Sequence, residues 1–240
     1  MTTMNAERVT VSREIAEVGR LDFEQTDKRR DYWLLPVGGQ RRARMPSVTG
    51  ILRDTWPKTA LFEWYMREPN ASALLAEGQA RGKATHLFLE TYLRDGVILP
   101  FSDFEPQHKP YLQGAARFIF EEDPQPAPEG VERLVCHPEL RYAGRPDLIA
   151  TSRSYPDLTL FDYKTNPEGN VYAEAHVQTW AYSLADFRCG GDAIKHRVVV
   201  GINGEGKYRL KESPDGEAVW RTGMEFHAEM QAFLRALGDS

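Results

Sequence analysis

Apolar residues alternate with polar ones in some stretches of the chain and recur every third or fourth position in others. These two periods divide it into strands and helices. Residues 1–27 are polar and weakly patterned, so a poorly ordered start with one short strand is expected. Asp31-Tyr32-Trp33-Leu34-Leu35-Pro36-Val37 reads as a strand, closed by the hairpin turn Gly38-Gly39-Gln40. In Met45-Pro46-Ser47-Val48-Thr49, Ser47 or Thr49 is placed to cap a short helix ahead of Trp56-Pro57. Helical spacing then holds from Leu61 to Tyr92, with a break near Glu68-Pro69-Asn70. Its strongest part, Leu74 to Leu93, is ended by Asp95-Gly96. A further helix is expected from Pro110 to Phe120. The proline-rich run Asp123 to Gly130 reads as a loop or hinge.

Period-two patterning takes over near Val131. Leu134 to Cys136, Leu140 to Ala150 and Leu158 to Lys164 read as successive strands, with Ser154-Tyr155-Pro156-Asp157 as a turn. A helix from Tyr172 to Asp186 follows, then strands Ile194 to Ile202 and Lys207 to Lys211 around Asn203-Gly204-Glu205-Gly206. An amphipathic helix from Glu217 to Leu237 comes last. Helices before, between and after a cluster of strands predict an α/β fold, one domain over 28–240 with a mixed central sheet flanked by helices.

Composition changes this picture little. At 240 residues one core suffices, and no apolar run is long enough to cross a bilayer, so a membrane role is not expected. The first residues lack a secretory pattern and include Glu7, Glu14 and Glu17, which makes a cytoplasmic protein the expectation. Cys136 and Cys189 stand far apart and are expected as free thiols. Two cysteines exclude a four-cysteine iron–sulfur or zinc site within the chain. Net charge is −5, yet Lys28 to Lys58 holds eight basic residues against Asp31 and Asp54, a local +6 that leaves −11 elsewhere. By itself such a run is most simply a solvated basic face. It is also the kind of clustering that meets phosphates.

The chemistry-bearing residues lie at Gly144-Arg145-Pro146-Asp147 and Phe161-Asp162-Tyr163-Lys164. On a strand, Asp162 and Lys164 share one face while Phe161 and Tyr163 take the other. Hairpin pairing of the two strands puts Asp147 beside Asp162, and two adjacent carboxylates repel unless a cation lies between them. Oxygen ligands of this kind suit Mg²⁺ or Mn²⁺. Taken alone, Asp-x-Lys also describes any hairpin with a cross-strand ion pair.

This arrangement resembles the PD-(D/E)XK nuclease superfamily, and flanking residues sharpen the resemblance to its RecB-type branch. Upstream, Gly82-Lys83-Ala84-Thr85-His86 continues to Glu90, so that Gly82, His86 and Glu90 share a helical face. Downstream, Gln178 and Tyr182 match the branch's Gln-x-x-x-Tyr motif. Pro46-Ser47-Val48-Thr49 looks like a segment of the phage and mitochondrial genome maintenance exonucleases within it.

The resemblance implies a restriction-endonuclease-like core and hydrolysis of DNA phosphodiester bonds with one or two Mg²⁺ or Mn²⁺ ions. His86, Asp147, Asp162 and the backbone carbonyl of Tyr163 are the implied ligands, with Lys164 as a further catalytic residue. Gln178, Tyr182, Ser47, Thr49 and Arg145 would face nucleic acid, and Glu139 would be a further acid near the metals. Asp162 departs from the glutamate that many members carry. An exonuclease on single-stranded DNA ends is favoured, in a prokaryotic or phage-infected cell, with a protein partner for loading. Trp33, Trp56 and Trp64 are candidates for base stacking. An endonuclease on the same scaffold and a non-catalytic DNA- or protein-binding module are the competing expectations.

Overall fold

The computed structural model describes residues 9–26 and 29–238, with Ala60 by its backbone alone; residues 1–8, 27, Lys28, 239 and 240 lie outside the description. The chain begins with β1 (Val9–Ile15), β2 (Gly19–Gln25), β3 (Arg30–Pro36) and β4 (Ala43–Met45), which form an antiparallel sheet in that order. This corrects the expectation of a poorly ordered segment over 1–27, since 9–25 make two strands of a sheet. Polar side chains obscured them. Asp22 of β2 is only 4% exposed, and it is buried because Ser12 donates to it at 2.7 Å and Arg20 pairs with it at 3.1 Å. Around it Leu21 and Phe23 turn inward and join Tyr32, Leu34 and Met45 in the larger core.

Ser47 caps α1 (Val48–Thr55), accepting from the backbone N–H of Gly50 at 2.9 Å. The helices α2 (Thr59–Arg67) and α3 (Ala71–Asp95) are separated where Glu68-Pro69-Asn70 was expected to break them, and Gly96 ends α3 in the left-handed conformation. Two short 3₁₀ turns, Phe101–Asp103 and Pro106–His108, lead into α4 (Lys109–Glu122).

The run expected as a proline-rich loop is instead mostly the strand β5 (Gln125–Val131). Its prolines are tolerated because β5 lies at a sheet edge and pairs on one side only. The stretch 140–150 is likewise two strands rather than one. β6 (Val135–His137) pairs with β7 (Tyr142–Gly144); Arg145-Pro146-Asp147 then interrupts the ladder before β8 (Leu148–Thr151). β9 (Thr159–Thr165), α5 (Ala173–Arg188), β10 (His196–Ile202), β11 (Tyr208–Glu212) and α6 (Glu217–Leu237) complete the chain.

The central sheet runs β11-β10-β9-β8-β5 and is mixed: β9 and β10 are parallel across α5, and the other pairs are antiparallel. The fold is therefore mixed α/β, with a five-stranded mixed sheet flanked by helices. Strand β9 is covered on both faces. Phe161 and Tyr163 enter one core with Phe88, Leu89 and Phe118 of α3 and α4, while Leu160 enters the other with residues of α1, α5 and α6. Cys136 and Cys189 are buried free thiols, their sulfurs 3.8 Å apart. Among the described residues no helix is long and apolar enough to cross a membrane.

Candidate metal centre

Register builds the site. β8 and β9 pair Leu148 with Phe161, and β5 and β8 pair Val131 with Leu148. One step further along the same ladders, Glu132 stands beside Asp147 and Asp147 beside Asp162. Three acids thus lie abreast on three neighbouring strands. The backbone ties them together: the N–H of Glu132 donates to the Asp147 carbonyl at 3.1 Å, and the N–H of Tyr163 donates to Asp147 Oδ2 at 2.7 Å.

Helix α3 brings an imidazole to these acids. Gly82 faces Thr165 at the end of β9, and Arg81 reaches the Thr165 carbonyl at 3.3 Å. One turn later His86 meets the acids, with Nδ1 3.3 Å from Asp147 Oδ1 and Nε2 3.2 Å from the Tyr163 carbonyl oxygen. The charge of Glu90, a turn further on, is felt at Glu132. The face expected from the four-residue spacing is the face that packs on β9.

Donor atoms of His86, Glu132 and Asp147 all lie within 4.8 Å of one another, a group that could hold a metal ion. Asp162 supports that reading. Its side chain is 1% exposed, the Lys164 ammonium meets one carboxylate oxygen, and the other, Oδ1, has no hydrogen-bond partner among the described residues. A buried carboxylate in this condition is costly unless a cation completes its surroundings. One imidazole nitrogen and hard carboxylate oxygens form a donor set that fits a divalent ion.

The titration behaviour follows from crowding. Burial, with Asp147 beside it, pushes Glu132 up to about 7. Burial likewise lifts Asp162 to about 6, with Lys164 opposing and Asp147 assisting. At Asp147 burial also works against the charge, but His86, Lys164 and the Tyr163 N–H together hold the carboxyl below its ordinary value. Burial disfavours an imidazolium at His86, yet the charge and hydrogen bond of Asp147 prevail and raise it to about 9. Lys164 is raised too, because Asp162 and Asp147 outweigh its desolvation. The ensemble is one of neighbouring acids whose protons are shared out unequally, which is where reactive chemistry is commonly found.

Of the residues expected at the site, the fold gathers His86, Asp147, Asp162, Lys164 and the Tyr163 carbonyl. Gln178 donates to the Tyr182 hydroxyl at 3.1 Å, and Tyr182 packs so closely on Gly144 that a Cβ there would sit 2.4 Å from its ring. The pair thus braces the turn that presents Asp147. Ser47 caps α1, its hydroxyl oxygen 3.4 Å from that of the exposed Thr49. Two expectations are corrected. Glu139 lies away from the acids, between His137 at 3.1 Å and Arg188 at 3.0 Å, and Glu132 takes the place foreseen for it. Arg145 faces Glu132 at 3.1 Å and stacks on Phe23, so it positions an acid of the site rather than standing ready for nucleic acid.

The basic run is partly neutralised as well. Arg29 and Arg44 share Asp31, Arg42 pairs with Glu24 while covering Trp33, Arg53 pairs with Asp54, and Lys58 with Glu174. Trp56 packs against the larger core. Glu132 is the member of this candidate group that the sequence did not point to. The signal was the strand hidden in 125–131, whose pairing with β8 carries Glu132 to Asp147. Searches against models of known families and against curated proteins found no match to this chain.

Proposed function

We propose that the chain is a metal-dependent deoxyribonuclease that hydrolyses phosphodiester bonds, acting from single-stranded ends with Mg²⁺ or Mn²⁺. The observation that carries this reading is the row Glu132, Asp147, Asp162 with His86 above it and Lys164 alongside. It is a cation-hungry acidic centre with one fixed ammonium beside it.

His86, Glu132 and Asp147 would hold the ion, with Asp162 and the Tyr163 carbonyl at its margin. A divalent ion bound there supplies Lewis acidity toward a phosphoryl oxygen and toward water. Lys164 is kept protonated by Asp162 and Asp147, which suits it to a phosphoryl oxygen gaining charge better than to taking a proton. Arg145 fixes Glu132, and the Gln178–Tyr182 pair fixes the turn ahead of Asp147, so ligand positions are set before substrate arrives. The sequence resemblance supports the choice of DNA and of strand ends.

The test compares wild type with Lys164→Ala and Asp147→Ala on end-labelled linear single strands and on closed circles, in Mg²⁺, Mn²⁺ or EDTA. The expected result is metal-dependent loss of the linear strand alone, reduced about 10²-fold or more by either substitution. Circles degraded as fast as linear strands would move the assignment to an endonuclease. Retained DNA binding with no cleavage in any metal would leave a non-catalytic module.

A further inference from the structure

Away from the acidic centre, a groove of about 970 Å³ lies between α1 and α6, with β4 and the turn 138–141 also contributing to it. Six arginines from β3, β4, α1, that turn and α6 line it, against three carboxylates, in a chain whose net charge is −5. All six are exposed. Arg44, Arg53 and Arg221 have carboxylate partners in Asp31, Asp54 and Glu217. Arg30, Arg141 and Arg235 have no ion pair among the described residues.

Like charges brought together from different parts of the chain repel one another, and at Arg30, Arg141 and Arg235 no carboxylate offsets this among the described residues. Guanidinium groups converging on one groove match a polyanion, whose phosphates would meet the arginines.

The groove is joined to the centre through the chain: Ser47 lines it while bridging to Ala143, and the next residue, Gly144, packs on Tyr182. From Arg141 to Asp147 is six residue steps, at most about 20 Å of chain. At roughly 3.4 Å per stacked nucleotide that is no more than about six nucleotides.

We propose that this groove is a second nucleic-acid subsite, holding the backbone of a single strand within about six nucleotides of the acidic centre. The inference rests on the nuclease reading for what happens at the strand's other end. Arg141 and Arg235 are exposed and distant from the metal ligands, so an Arg141→Ala/Arg235→Ala double variant tests it without disturbing the centre.

Binding of labelled oligothymidylates of 6 and 20 nucleotides is followed by fluorescence anisotropy in EDTA across a salt series, and cleavage of the hexamer in Mn²⁺. The variant is expected to bind the 20-mer at least tenfold more weakly, with the slope of log affinity against log salt smaller by about 1.4 (two phosphates). Cleavage of the hexamer at saturating concentration is expected in both proteins, so that the lost affinity reads the groove and not the centre. Unchanged 20-mer affinity and slope would overturn the subsite. Displacement of the 20-mer from wild type by micromolar inorganic pyrophosphate would also overturn it, reassigning the groove to a small phosphate ligand. A wild type that cleaves nothing, yet binds the 20-mer through these arginines, would sink the nuclease reading and leave the subsite standing.

Discussion

At the scale of single residues, Glu132 and Glu139 make the sharpest contrast. Both are acids near the start of the sheet portion, seven residues apart, but only Glu132 reaches the group formed with His86 and Asp147. Glu132→Gln is expected to weaken Mn²⁺ binding at least tenfold in titration calorimetry, whereas Glu139→Gln leaves it unchanged; equal losses would remove Glu132 from the centre. Proton occupancy gives a second expectation. With His86 raised to about 9 and Glu132 to about 7, the ion-free centre carries protons at neutral pH that a bound cation must displace. Mn²⁺ affinity should therefore climb as pH rises from 6 through 9, and binding at pH 7 should release protons. Heats measured in two buffers of different ionisation enthalpy read that release directly, and identical heats would contradict it.

At the scale of elements, the turn between β7 and β8 governs where Asp147 stands. Gly144 must be glycine because Tyr182 occupies the space a Cβ would need. Gly144→Ala forces Tyr182 or the turn to shift, at a cost of about 1–3 kcal/mol. For a chain of this length that is a melting temperature lower by roughly 2–12 °C, measured by calorimetry or circular dichroism. Mn²⁺ affinity should fall with it, since Asp147 follows three residues later. A variant as stable as wild type would show that the contact is slack. Helices α3, α5 and α6 were legible along the chain because one face of each must be apolar, and Gly96 and Gly216 sit at or next to their ends. Strands β1, β2 and β5 were not. Asp22 is buried on the face opposite Leu21 and Phe23 by Ser12 and Arg20, and β5 carries Pro126 and Pro128, whose acceptability depends on an edge position that local pattern does not reveal.

At the scale of the whole molecule, the acidic centre is a store of instability that a bound ion would relieve. Asp162 is buried beside Asp147 with one ammonium for a partner. An ion that binds only the folded chain adds about 2.7 kcal/mol at a concentration one hundred times its Kd. Mn²⁺ at that excess is expected to raise the melting temperature by roughly 5–11 °C. Asp162→Asn should start from an ion-free melting temperature at or above that of wild type and gain far less from Mn²⁺. An Asn variant that is both less stable and equally responsive would mean that Asp162 is structural alone.

Residues close together in sequence carried much of the site. Two-residue alternation put Asp162 and Lys164 on one face, four-residue spacing put Gly82, His86 and Glu90 on another, and a hairpin register joined Asp147 to Asp162. Those inferences needed only the geometry of one element or of two neighbours. Glu132 and the arginine groove required more. Glu132 reaches Asp147 through pairing between β5 and β8, and the groove is assembled from segments between Arg30 and Arg235. Whether a polar residue is buried, and which charges meet, depends on desolvation and contacts between distant segments, and these exist only once the chain has folded.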